Sequence, residues 1–164
     1  MNNSIDQDYN PKFMLKAIEL SEIAYKSGKG LPIGCVIVRD GEIIGEGHNE
    51  IFERVNPTSH GEMVAIERAC KNINSLQLSE CQMYTTLEPC PMCLGALLQA
   101  RVGRLVYGCL DPKRFQESGN FSFPTLKDHL SLSGNNHTVT ISGPVLEEDC
   151  SQILKKFFKE RRKK

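Results

Sequence analysis

The sequence predicts an α/β protein whose mixed sheet carries helices on both faces. Three observations lead there. Apolar residues alternate between helical spacing and short continuous runs, in the order α-β-β-α-β-α-β-β-α. Asp40-Gly41 is a strong hairpin turn joining the first two runs. Two segments rich in His, Cys and Glu both fall where a strand gives way to a helix, the place where open sheets commonly build their sites.

Each element has its own local reason. Phe13, Leu15, Ala17, Ile18, Leu20 and Ala24 follow the helical period, and Gly28 and Gly30 stop that helix. Ile33 to Val38 reads as a buried strand, and Glu42 to His48 is the second arm of the hairpin. Asn56-Pro57-Thr58-Ser59 supplies turn and cap chemistry ahead of a helix from about His60 to Lys71. Met83 to Thr86 is the third strand. Pro91 suits the first position of the helix that follows. Arg104 to Cys109 is the fourth strand. Residues 112–136 read as irregular apart from a short helix near Leu126 to Leu130. His137 to Ser142 makes a weak fifth strand, and an amphipathic helix runs from about Leu146 to Glu160.

A chain of 164 residues is read as one domain, 1–164, with an ordinary core. Its 40% hydrophobic and 24% charged content is that of a soluble globular protein. No apolar run approaches the roughly 20 residues of a membrane span, and the start has no signal-peptide pattern, so a cytoplasmic protein with no membrane contact is expected. The seven cysteines (35, 70, 81, 90, 93, 109, 150) lie mostly in apolar segments, which points to reduced buried thiols rather than a disulfide framework. Net charge is zero but uneven. Lys155 to Lys164 holds seven of the 20 basic residues and one of the 20 acidic ones. Such a tail fits a nucleic-acid contact, and it equally fits a solvated helix end favoured by the dipole.

The chemistry resides in His60-Gly61-Glu62 and in Pro89-Cys90-Pro91-Met92-Cys93. On a helix starting at Pro91 both thiols project from the N-terminal turn toward one side, where partial positive charge favours thiolates. One imidazole and two sulfurs form a borderline-soft set that suits zinc, with the fourth position left to water. An open position beside the Glu62 carboxylate describes a hydrolase rather than a closed structural knot. Taken singly, the pieces are unspecific. A lone C-x-x-C also serves as a redox pair or as two small buried residues. Specificity comes from both pieces in this order.

The combined pattern H-x-E…P-C-x-x-C resembles the signature of zinc deaminases. From Pro32 to about Lys159 the chain resembles the cytidine/deoxycytidylate deaminase superfamily. The resemblance implies a three-layer α/β/α sandwich around a five-stranded sheet, one catalytic Zn2+ per chain and a homodimer. It implies metal ligands at His60, Cys90 and Cys93 and a proton shuttle at Glu62. It further implies that Asn49 holds the base, that the Gly61 N–H meets a substrate acceptor and that the Glu88 carbonyl receives the amino group. Without the resemblance, Asn49 reads as a strand-end turn residue.

Subfamily cues diverge. Thr86 to Cys90, Arg101 to Gly108 and Phe157 to Arg162 resemble bacterial tRNA adenosine deaminases. Cys90 to Ala96 and Ile66 to Lys71 resemble bacterial guanine deaminases, and His60-Gly61-Glu62 with Gly47-His48-Asn49 resembles fungal-type cytosine deaminases. After Asp111, where the tRNA enzymes typically carry a small Gly/Ala-rich loop, this chain has the bulky Lys113 to Phe123. Phe115, Phe121 and Phe123 are candidates for a pocket lid, with core packing the alternative for the last two. The expectation is a zinc-dependent hydrolytic deaminase of a small nucleobase or nucleoside, releasing ammonia. The alternative is a tRNA adenosine deaminase forming inosine at the anticodon wobble position, with tRNA as partner. A third reading, a non-catalytic zinc-stabilised subunit that binds RNA or protein, has no need of the base that Glu62 supplies.

Overall fold

Asn10 opens the first helix, α1 (Pro11–Ser27): its side chain accepts from the Lys12 N–H, and Pro11 needs no partner at the first position. The computed structural model describes residues 9–111 and 137–162. After α1 come β1 (Gly34–Arg39), β2 (Glu42–His48), α2 (Gly61–Ile73), β3 (Cys81–Leu87), α3 (Pro91–Gln99), β4 (Arg104–Cys109), β5 (Thr140–Ser142) and α4 (Glu147–Arg161). The Asp40-Gly41 turn takes φ of 51° and 77°, the paired left-handed geometry that a tight hairpin demands and that Asp-Gly supplies at low cost. In α4, Glu147, Glu148 and Asp149 fill the first turn and Lys159 and Arg161 the last, complementing the helix dipole.

The strands form one sheet in the order β2-β1-β3-β4-β5. β1 runs antiparallel to both β2 and β3, while β3, β4 and β5 are mutually parallel, so the sheet is mixed. Side chains alternate across it with the strand period of two. Cys35, Ile37, Met83 and Leu105 face the layer of α2 and α3, where Ala65, Ala69, Leu94 and Leu97 close the core. Val36, Val38, Tyr84 and Val106 face the layer of α1 and α4, packing on Phe13, Met14, Ala17 and Leu154. This is the three-layer sandwich. The weak fifth strand is shorter than the sequence suggests: it pairs only from Thr140, because its neighbour β4 begins at Arg104 and offers no ladder before that. His137 instead donates from Nε2 to the Val102 carbonyl at 2.8 Å.

All seven cysteines are free. Burial pushes the Cys109 and Cys150 thiols up to about 12, so both stay protonated near neutrality. No helix among the described residues is long and apolar enough to cross a membrane.

Two glycines on β2 set the distance between the sheet and α2. A Cβ on Gly45 would meet the Ala65 carbonyl, and one on Gly47 would meet the Gly61 carbonyl and lie 2.7 Å from the Ala65 nitrogen. Neither backbone can give way like a side chain. Gly47→Ala is therefore expected to lose about 1–3 kcal/mol of stability, the usual cost of overpacking, and to lift the α2 N-terminus off the sheet. Chemical unfolding of the variant beside wild type checks this.

Candidate active site

The N-termini of α2 and α3, the helices that follow β2 and β3, converge, and each begins with a residue whose side chain does not cap its own helix. His60 is the N-cap of α2, with extended backbone (φ −66°, ψ 157°) and no side-chain cap bond. Cys90 occupies the same position on α3 (φ −71°, ψ 167°), again without a cap bond. Both side chains are thus left to other partners. His60 Nδ1 lies 3.7 Å from Cys90 Sγ and 3.6 Å from Cys93 Sγ, and the two sulfurs are 3.6 Å apart. Among the described residues this is the group of His, Cys and acidic side chains able to hold a metal ion. A tetrahedral zinc with Zn–S of about 2.3 Å and Zn–N of about 2.0–2.1 Å spans edges of roughly 3.8 Å between sulfurs and roughly 3.6 Å from sulfur to nitrogen. The triangle fits that ion.

Glu62 stands in the first turn of α2 and is 3% exposed. Two residues apart, His60 and Glu62 would diverge inside a helix. They converge here because His60 precedes the helix while Glu62 belongs to it. The Glu62 carboxylate reaches the Cys93 thiol, and its Oε2 is a buried atom without a hydrogen-bond partner among the described residues. Burial raises its pKa above the ordinary carboxylate value. The hydrogen bond with Cys93, aided by His60, brings Cys90 down to about 4, while Cys93, held between Cys90 and Glu62 in a buried place, is pushed up. The hydrogen bond between His60 and Cys90 raises the His60 imidazolium.

Asn49 is buried at the end of β2, its N–H donating to the Ile33 carbonyl at 3.2 Å. Gly61 is the first residue of α2, so its N–H belongs to the helix's opening turn. Glu88, also buried, precedes Cys90; its N–H donates to the Cys109 carbonyl at 2.8 Å and its Oε2 accepts from the Asp111 N–H at 3.4 Å. Phe115, Phe121 and Phe123, the stretch Lys113 to Phe123 and the short helix near Leu126 lie outside the described residues.

Sequence reasoning missed two neighbours. Cys35, on β1, is fully buried, and its thiol is raised by burial and then by the Glu62 charge. Glu50, directly after Asn49, is a buried carboxylate holding Arg54 and Arg68. The Glu50–Arg54 spacing of four was visible in the sequence; the pairing with Arg68 was not.

Known proteins match this arrangement over nearly its whole length. The tRNA-specific adenosine deaminase of Haemophilus influenzae is 39% identical over 159 residues, covering 96% of this chain and 88% of the relative. That of Bacillus subtilis is 40% identical, covering 93% and 90%. A solved structure from work on A-to-I editing by tRNA:A34 deaminases at the wobble position of tRNA superposes with a TM-score of 0.77 at 32% identity, covering 88% of this chain and all of that one. A guanine deaminase from Bacillus subtilis superposes less closely, with a TM-score of 0.63 at 33% identity and 95% coverage of each chain.

These relatives correct the expectation of a small nucleobase or nucleoside as substrate, because the tRNA-specific enzymes are nearer in both sequence and fold. One feature behind that expectation has a packing reason of its own. A Cβ at Gly61 would sit 3.2 Å from the Ile33 carbonyl and 3.3 Å from His48 Cα, so the glycine of His-Gly-Glu suits close packing of the α2 start. The bulky stretch after Asp111 lies outside the described residues. A family model for MafB19-like deaminases matches residues 9–162. The chain belongs to that family of aminohydrolases, within the cytidine/deoxycytidylate deaminase superfamily.

Proposed function

We propose that the chain is a zinc-dependent tRNA adenosine deaminase that makes inosine at the anticodon wobble position. The substrate rests on one observation, the 39–40% identity to tRNA-specific adenosine deaminases over 93–96% of the chain. In this reading residues 1–164 form one domain, working as a homodimer in the cytoplasm.

His60 through Nδ1, Cys90 and Cys93 would hold the zinc, and its open fourth position would supply acidity to water. Glu62 then moves the protons. Its Oε2, buried and without a partner among the described residues, takes a proton from the attacking water, returns it to N1 of adenine and assists departure of ammonia. Burial suits it to both directions, because a raised pKa brings the carboxyl nearer to working pH. Asn49 holds the base and Gly61 donates its N–H to a ring acceptor. The Glu88 carbonyl receives the amino group on the side of α3.

The test is direct. Purified protein incubated with tRNA bearing adenosine at the wobble position should yield inosine there by nuclease digestion and mass spectrometry. Binding should weaken steeply with salt, as phosphate contacts require. Ammonia from free bases, with no inosine in tRNA, would overturn the proposal.

A further inference from the structure

The loop between β2 and α2 is fastened to the outer face of α2 by charge. Glu50, 7% exposed, takes Arg54 Nε at 2.7 Å from the same loop and Arg68 Nη2 at 2.9 Å from α2. Arg54 reaches on to Glu67 at 2.6 Å, and Arg68 Nη1 donates to the Glu46 carbonyl at 2.9 Å. The backbone of the same residue closes the loop: the Glu50 N–H donates to the Ser59 carbonyl at 2.9 Å, immediately before His60. Glu50 thus touches Asn49 on one side and the lead-in to His60 on the other. The Asn56 N–H, donating to Ile51 O at 3.0 Å, completes a loop with few ways to move.

We infer that Glu50 is a positioning residue, fixing Asn49 and the α2 entry so that the base is held between them. This rests on the roles assigned above to Asn49 and His60. Buried ion pairs contribute little net stability, because desolvation offsets the Coulomb gain, yet they hold their partners in one geometry. Here the geometry held is that of the two segments flanking the site. Arg54 and Arg68 side chains are 32% and 44% exposed, so without Glu50 they can turn to water. Losing the charge therefore frees the loop more than it unfolds the protein.

The experiment uses Glu50→Gln in the full-length protein, with two controls. Glu67→Gln breaks the outer arm and leaves Glu50 intact, and Leu154→Ala weakens the distant core under α4. On an anticodon stem-loop RNA, Glu50→Gln should raise KM about tenfold with kcat within about threefold, as expected when substrate placement is lost and chemistry is kept. Zinc content should stay at the wild-type level. Amide exchange at Asn49, Glu50 and Asn56 should quicken about tenfold or more, with no such change in α1. Glu67→Gln should alter neither readout, and Leu154→Ala should not raise KM at a matched loss of melting temperature. Unchanged exchange at the three amides would overturn the inference, as would a KM equal to wild type. So would an equal KM rise in Leu154→Ala. Because exchange needs no substrate, it decides the matter even if wild type makes no inosine in RNA, an outcome that would sink the proposed substrate instead.

Discussion

Glu62→Gln is expected to leave the fold and bound zinc intact while turnover falls by about 10²–10⁴, the range that general acid–base catalysis supplies. The amide has nearly the carboxylate's shape but can neither take a proton from water nor return one to the base. Its effect on stability has a definite sign. Burial raises the folded pKa of Glu62, so ionising it opposes folding once pH exceeds the unfolded value. A neutral residue there removes that cost at neutral pH. In the metal-free protein the variant should therefore melt at the wild-type temperature or above it. Near wild-type activity in a folded, zinc-loaded Glu62→Gln protein would show that the proton is moved elsewhere.

Cys90→Ala should lose the metal and, with it, all measurable deamination. The remaining His60 and Cys93 cannot close a three-ligand site, and replacing even an outer partner of a metal ligand typically costs 10–100-fold in affinity, so removing a ligand should exceed about a hundredfold. Melting temperature should fall as well, since binding to the folded state adds to its stability. Cys93→Ala should behave alike, with a larger stability loss because Cys93 is fully buried beneath the helix start. Metal analysis of purified wild type and both variants provides the check. Wild-type zinc content in both would end the metal assignment.

Local chemistry was legible because its determinants lie within a turn or strand of each other. Asp40-Gly41 dictates its hairpin through two residues that tolerate positive φ. Pro91 marks a helix start, and the Cys90/Cys93 spacing places both sulfurs at that start. The three-layer fold followed from resemblance as well as from the alternation of helical and strand periods.

Substrate was not legible in this way. The cues taken from His-Gly-Glu and from the stretch after Asp111 pointed to a small base, while whole-chain similarity points to the tRNA enzymes. A three-residue motif with one glycine registers close backbone packing as readily as it registers a ligand, and the Gly61 surroundings show such packing.

The sequence by itself determined the elements, the ligand types and their order along the chain, because propensity, capping and turn chemistry act between near neighbours. Tertiary structure alone decided the strand order β2-β1-β3-β4-β5, the truncation of β5 and the convergence of His60 with sulfurs thirty residues later. It also decided that Glu50 would meet Arg68 across the loop. Those pairings join segments far apart in the chain, and their partners are chosen by how the two helical layers pack on the sheet. No residue's immediate neighbours carry that information.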